Sequence, residues 1–185
     1  MNPILLDFPE SFESDRLLIR CPRPGDGAAM YAAIMESLAE LKLWMPWAHS
    51  EQSVEVSENV ARRAQGPFLL REDLMLLIFR KDDGVLVGGS GLHRINWDVP
   101  RFEIGYWCRT GLTGHGYITE STARIAQFAF ETLHARRVEI HVDDRNQKSW
   151  HVPERLGFTL EGILRNVARN TAGELRDTRI YAKTA

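Results

Sequence analysis

The sequence predicts one α/β domain on a mixed, mostly antiparallel sheet of about seven strands flanked by helices. Three observations carry that expectation. Apolar periodicity gives the order strand, two helices, three strands, helix, strand, helix, two strands. That order lacks the regular alternation of a doubly wound parallel sheet, and its consecutive hairpins make most neighbours antiparallel. The single strand-helix-strand passage from Arg101 to Val142 requires a right-handed crossover and one parallel pair. No repeat, low-complexity tract or linker divides the 185 residues, so residues 1–185 are read as one domain.

The elements follow in order. "RLLIRCP", from Arg16, alternates as a half-buried strand does, and Pro22, Pro24 and Gly25 stop it. Asp26 is placed to cap a helix through Leu41, where Met30, Ile34, Leu38 and Leu41 recur at helical spacing. "WMPWAHSEQS" interrupts the pattern at Pro46. A second helix follows, with Val56, Val60 and Ala64 on one face, until Gly66-Pro67. Asp83-Gly84 is a hairpin signal between the apolar runs "LMLLIFR" and "VLVGGSGLHRI". "NWDVP" turns into the strand "RFEIGYWC". Beyond a glycine-rich turn, Ile118, Thr122, Ile125, Ala129 and Leu133 line a helical face. "RRVEIHV" is a further strand, and "NQKSWHVPERLG" a short helix that Pro153 should shorten or distort. "FTLEGILRNVAR" and "LRDTRIYAK" are the last two strands, around "NTAGE".

Composition excludes several function classes. A formal charge of -2 with no basic run gives no case for nucleic acid or a membrane surface. No apolar stretch approaches a membrane span. The first residues carry acids and lack the basic start of a signal peptide. Cys21 and Cys108 form no disulfide framework, and His49, His93, His141 and His151 share no metal-ligand spacing. The expectation is a cytoplasmic protein without a metal.

The chemistry gathers at "RTGLTGHGYITES", Arg109 to Ser121. A P-loop would need Lys-Ser/Thr after the last glycine, and Gly116 is followed by Tyr117 and Ile118. A dinucleotide fingerprint would need glycine where Thr119 stands. A Gly-x-Gly turn opening a helix remains, in which successive N–H groups and the helix dipole meet an anion. A plain turn using glycine only for its geometry is the competing reading. Downstream, Asn146 and Ser149 stand three apart at a helix entrance, where both residue types also cap well.

Together, "EIGYW…GHGYITES…RNQKS…ERLGFTLEG", with "LWMPWA" and "TRIYA", resembles the GNAT superfamily of acetyl-CoA-dependent N-acetyltransferases, and within it the RimJ/RimL-type branch that acetylates ribosomal-protein N-termini. The resemblance covers about residues 14–183. It implies a splayed central parallel pair that admits the pantetheine arm of acetyl-CoA. The backbone of Trp107 and Arg109 would bond that arm, and Gly114, His115, Gly116, Tyr117 and Ile118 would hold the pyrophosphate. Asn146 would contact pantetheine. Ser149 would give its proton to the departing thiolate, the alternative being a helix cap. Glu103 would act as base on the amine, directly or through a water chain, the alternatives being no dedicated base at all and a carboxylate that faces solvent or pairs with an arginine. Trp44 and Trp47 would line the acceptor site or simply pack. The acceptor would be a protein or peptide N-terminus or a small amine, and relatives of this branch often form homodimers. One departure is Gly111, where the superfamily often has Gln or Arg. A covalent route through Cys108 has no activating neighbour in sequence. The rival function is a non-catalytic acyl-CoA-binding regulator on the same scaffold.

Overall fold

A computed structural model describes residues 2–185. The strands are β1 (Ser11–Glu13), β2 (Leu17–Arg20), β3 (Leu74–Arg80), β4 (Leu86–Asn96), β5 (Arg101–Cys108), β6 (Arg137–Asp143), β7 (Thr159–Arg169) and β8 (Leu175–Thr184). The α-helices are α1 (Gly27–Glu36), α2 (Leu38–Trp44), α3 (Val54–Leu70), α4 (Tyr117–Glu131) and α5 (Gln147–Arg155). All eight strands share one sheet in the order β1-β2-β3-β4-β5-β6-β8-β7. Every neighbouring pair is antiparallel except β5 and β6. The eighth strand is β1, whose three residues are too few to show a period.

Apolar side chains bury both faces of the sheet. In β3, Leu74, Leu76 and Ile78 join the cluster that includes Ile125, Phe128 and Ala129 of α4. Leu77 and Phe79 point the other way, to Met30, Ala33 and Ile34 of α1. The unbroken run "LMLLIF" is therefore a strand buried on two sides. Ile125 and Phe128, both buried, contribute on the order of 1.5–3 kcal/mol each to holding α4 against the sheet.

Three helix expectations need correction. The helix read as continuous to Leu41 breaks at Ser37, whose hydroxyl donates to the Ala33 carbonyl and accepts from the Thr110 N–H, 2.9 Å away. Asp26 stands at the start of α1 but makes no cap. Its carboxylate is taken by Arg20 and the Arg23 N–H, and Glu58 of α3 accepts from the N–H groups of Gly25 and Gly27 instead. Finally, α3 runs past Gly66-Pro67 to Leu70, because Phe68 is buried in the core. Its inner face is Ser57, Ala61 and Phe68, whereas Val56 and Val60 are exposed. Small residues let α3 lie close to α1, so the inner face is not its most apolar one. Among the described residues, no helix is long and apolar enough to cross a membrane.

Candidate active site

The centre of the sheet opens where the parallel pair stops. β5 and β6 are paired only from Arg101–Glu103 to Arg137–Glu139, yet β5 continues to Cys108 and β6 to Asp143. A wedge results, with α4 starting beyond the free end of β5 and α5 beyond the free end of β6.

Backbone parity decides what faces the wedge. The Arg109 N–H donates to the Val87 carbonyl at 2.7 Å, and the Gly105 carbonyl accepts from the Ser90 hydroxyl at 2.7 Å. Odd residues of β5 therefore turn their backbone toward β4, and alternation turns that of Tyr106 and Cys108 toward the wedge. This corrects the expectation for Trp107 and Arg109. The Arg109 carbonyl is also engaged, by the Leu112 N–H at 2.9 Å. The Arg109 side chain grips Glu36 instead.

At the mouth of the wedge lies the glycine turn. Gly114 and Gly116 have φ of 81° and 79°, the left-handed region that only glycine adopts freely. Gly116 is the N-cap of α4 and offers no side chain to it. The N–H groups of Gly114, His115, Gly116, Tyr117 and Ile118 have no acceptor among the described residues. Five open donors at a helix N-terminus fit an anion such as a pyrophosphate. Glu120, in the first turn of α4, would repel it. Its carboxylate is drawn aside by the Ser14 hydroxyl at 2.6 Å and by Arg16. Although burial pushes that carboxyl up, these hydrogen bonds outweigh it and leave the pKa below the ordinary value.

Gly111 has its own explanation. Its N–H donates to Glu36 Oε1 at 2.9 Å, and a Cβ there would sit 2.6 Å from the same oxygen. The hydrogen bond from Arg109, then that from Gly111, hold the Glu36 carboxyl below the usual carboxylate range. The end of α1 thus fastens the loop that precedes α4.

On the α5 side, Asn146 is the N-cap, accepting from the Ser149 N–H at 3.2 Å. Among the described residues, nothing accepts from its amide NH2. Ser149 lies inside the helix and is not the cap. Its hydroxyl meets the Tyr106 oxygen at 3.4 Å, and the Tyr106 hydroxyl donates to the Ser149 carbonyl at 2.8 Å. Sequence reasoning missed Tyr106, because nothing in "EIGYW" shows which helix its side chain meets.

Odd side chains of β5 face the opposite side of the sheet. There Trp107 meets Trp47 edge to face, with ring centroids 6.2 Å apart. Trp44 ends α2 half-buried, and Leu43 beside it accepts from the Thr171 hydroxyl in the β7–β8 turn. Glu103 is on this face too, its carboxylate bonded by Arg94 and lying 3.2 Å from His141 Nδ1. His141 Nε2 lies 2.9 Å from Glu139. The structure thus brings together a Glu-His-Glu group that linear spacing does not reveal, its ligand atoms within 4.8 Å of one another. Arg94 and Arg137 already engage its two carboxylates.

Cys108 is near the wedge but poorly suited to nucleophilic work. Burial pushes its thiol up to about 11, so it stays protonated at neutral pH. Cys108→Ala should keep turnover within about threefold of wild type, a size set by lost packing alone. A loss of a hundredfold, with a trapped acetyl-enzyme in the wild type by mass spectrometry, would establish the covalent route.

Residues 16–159 match the acetyltransferase (GNAT) domain family. The chain belongs to the GNAT acetyltransferase family. It is an acetyl-CoA-dependent N-acetyltransferase with relatives in the RimJ/RimL-type branch. YdaF of Bacillus subtilis (strain 168), provisionally named a ribosomal N-acetyltransferase, is 31% identical over 156 residues, 83% of each chain. Among solved structures, the microcin C7 self-immunity acetyltransferase MccE, in complex with acetyl-CoA and AMP, superposes with a TM-score of 0.89 at 23% identity, covering 96% of this chain and 98% of that one. RimL, the ribosomal L7/L12 α-N-protein acetyltransferase in complex with coenzyme A, gives 0.87 at 23% identity, covering 95% and 98%. The GNAT match ends where β7 begins.

Proposed function

We propose that this GNAT enzyme acetylates the N-terminal amine of a protein or peptide by direct attack on acetyl-CoA. The observation that carries the reading is the wedge between β5 and β6, with five open N–H donors at its mouth and Ser149 on one side. Tyr106 and Cys108 offer backbone groups to the pantetheine arm, Asn146 its amide NH2, and Gly114 to Ile118 hold the pyrophosphate.

In this reading the acid and the base stand on opposite faces of the sheet. Tyr106 leads to Ser149 on one face, while Glu103 and Trp47 stand on the other. The amine enters past Trp47, with Trp44 at the rim, and its lone pair attacks the thioester carbonyl. The C–N bond forms, the C–S bond breaks, and the thiolate takes the Ser149 proton. The ammonium proton leaves toward Glu103, directly or through water, and solvent restores the serine hydroxyl. An α-amino group, with a pKa of about 7.7–8.0, is already partly neutral at physiological pH. That amine needs only a weak base. The YdaF and RimL relatives support a ribosomal-protein acceptor. A cytoplasmic homodimer belongs to the same reading, and exposed Ile163, Leu164 and Val167 on edge strand β7 support the pairing.

The test is acetyl-CoA offered with a peptide library, reading free thiol and acetylated N-termini by mass spectrometry. Thiol release with lysine-blocked peptides but not with N-blocked ones is the expected result; the reverse pattern would reassign the acceptor. Glu103→Gln should lower turnover about tenfold and move the acidic limb of the pH–rate profile, with acetyl-CoA affinity unchanged. An unmoved profile at normal turnover would leave Glu103 as an ion-pair residue.

A further inference from the structure

A helical carbonyl is ordinarily satisfied by the N–H four residues on. Four residues beyond Ser149 comes Pro153, which has no N–H, although α5 continues through it to Arg155. The Ser149 carbonyl is thereby released from the helix ladder. Tyr106 takes it: the phenol donates to that carbonyl at 2.8 Å. The Ser149 hydroxyl in turn reaches the phenol oxygen at 3.4 Å. One side chain from β5 therefore contacts the same residue of α5 through both its backbone and its hydroxyl, across the head of the wedge.

We infer that Tyr106 is a positioning residue that aims the Ser149 hydroxyl at the thioester sulfur, and that Pro153 makes the Ser149 carbonyl available for that bond. The inference rests on Ser149 as the proton donor. Tyr106 itself gives up no proton. Burial keeps its phenol protonated well above its ordinary range, so it remains a donor to the carbonyl throughout the working pH. When the C–S bond breaks, the Ser149 proton turns from the phenol oxygen to the sulfur while the carbonyl stays held. The weaker of the two contacts is the one that must yield, and at 3.4 Å it is near the limit of a hydrogen bond. A structural tyrosine would matter for stability alone; a positioning one matters for kcat, and only while Ser149 is present.

The experiment compares Tyr106→Phe, Pro153→Ala and the double variant, all with intact Ser149 and well below their melting temperatures. Tyr106→Phe should lower kcat about tenfold, with the dissociation constant for acetyl-CoA within about twofold, as befits misdirected general-acid help. Pro153→Ala returns an N–H to the Ser149 carbonyl. The double variant should then regain at least half of the logarithmic loss in kcat relative to Pro153→Ala alone. A double variant as slow as Tyr106→Phe, or Tyr106→Phe at the wild-type rate, overturns the inference. A second cycle separates it from the reading beneath it. In Ser149→Ala, adding Tyr106→Phe should change kcat less than twofold, and an undiminished tenfold loss there overturns the positioning role alone. Ser149→Ala at the wild-type rate would instead overturn the proton-donor reading, and the inference with it.

Discussion

Ser149→Ala lowers the turnover number about 100-fold and leaves acetyl-CoA affinity within about twofold; that is the expected result if the hydroxyl protonates the departing thiolate. The size follows from general-acid help of roughly 10²–10⁴-fold, taken at its lower end because thiolates leave readily and water can substitute. A stability effect would confuse the measurement if Ser149 capped α5. The cap is Asn146, and the serine hydroxyl's hydrogen bond to Tyr106 is long, at 3.4 Å. The melting temperature should therefore hardly move, whereas Asn146→Ala should cost about 1 kcal/mol. Turnover, binding and melting measured on the same variant decide the matter. Wild-type turnover in Ser149→Ala would end the catalytic assignment.

Gly116→Val should weaken acetyl-CoA binding by at least about 100-fold. Two effects add. A β-branched residue at φ 79° is strained, at about 1–3 kcal/mol, so the turn relaxes toward another conformation. The relaxed turn no longer aims its N–H groups at the phosphates, and hydrogen bonds to a charged group are worth about 1.5–3 kcal/mol each. Conformation outweighs bulk here, since a Cβ at Gly116 would come no closer than 3.7 Å to the Arg16 guanidinium, and one at Gly114 would meet nothing within 4 Å. Calorimetry checks the affinity, and pantetheine, which lacks the pyrophosphate, locates the loss by binding both proteins alike. Unchanged affinity in a folded Gly116→Val protein would remove the phosphate site from this turn.

Much of this was legible in the chain, for physical reasons that differ between elements. Asp83-Gly84 marks its hairpin because positive φ there demands glycine, as Gly84 at φ 71° shows. The α4 face is legible because Thr122, Ile125 and Ala129 keep a helical period and are buried, although Leu133, read on the same face, lies past the end of the helix at Glu131. The glycine turn is legible because positive φ leaves a residue-type signature at Gly114 and Gly116. Where a neighbour supplies the partner, the signature vanishes. The break at Ser37 depends on Thr110, the cap of α1 on Glu58, and the inner face of α3 on how closely α1 approaches. The site divides in the same way. Asn146, Ser149 and Glu103 could be named from motif order. The backbone parity of β5, which hands the wedge to Tyr106 and Cys108, is a matter of register and leaves no residue-type trace. The pairing of Glu103 with His141 likewise exists only because β5 and β6 run side by side.

The Glu36 carboxylate also makes two distant positions interdependent for anyone redesigning the loop before α4. It fills the space beside Gly111 that a side chain would need, while bonding the Gly111 N–H and the Arg109 guanidinium. Grafting a glutamine or arginine onto position 111 by itself would expel the carboxylate and unfasten the loop from α1. Shortening Glu36 by itself would leave Arg109 and the Gly111 N–H without their acceptor. A workable graft has to alter both positions at once, so residues 75 apart in the chain behave as a single unit of exchange.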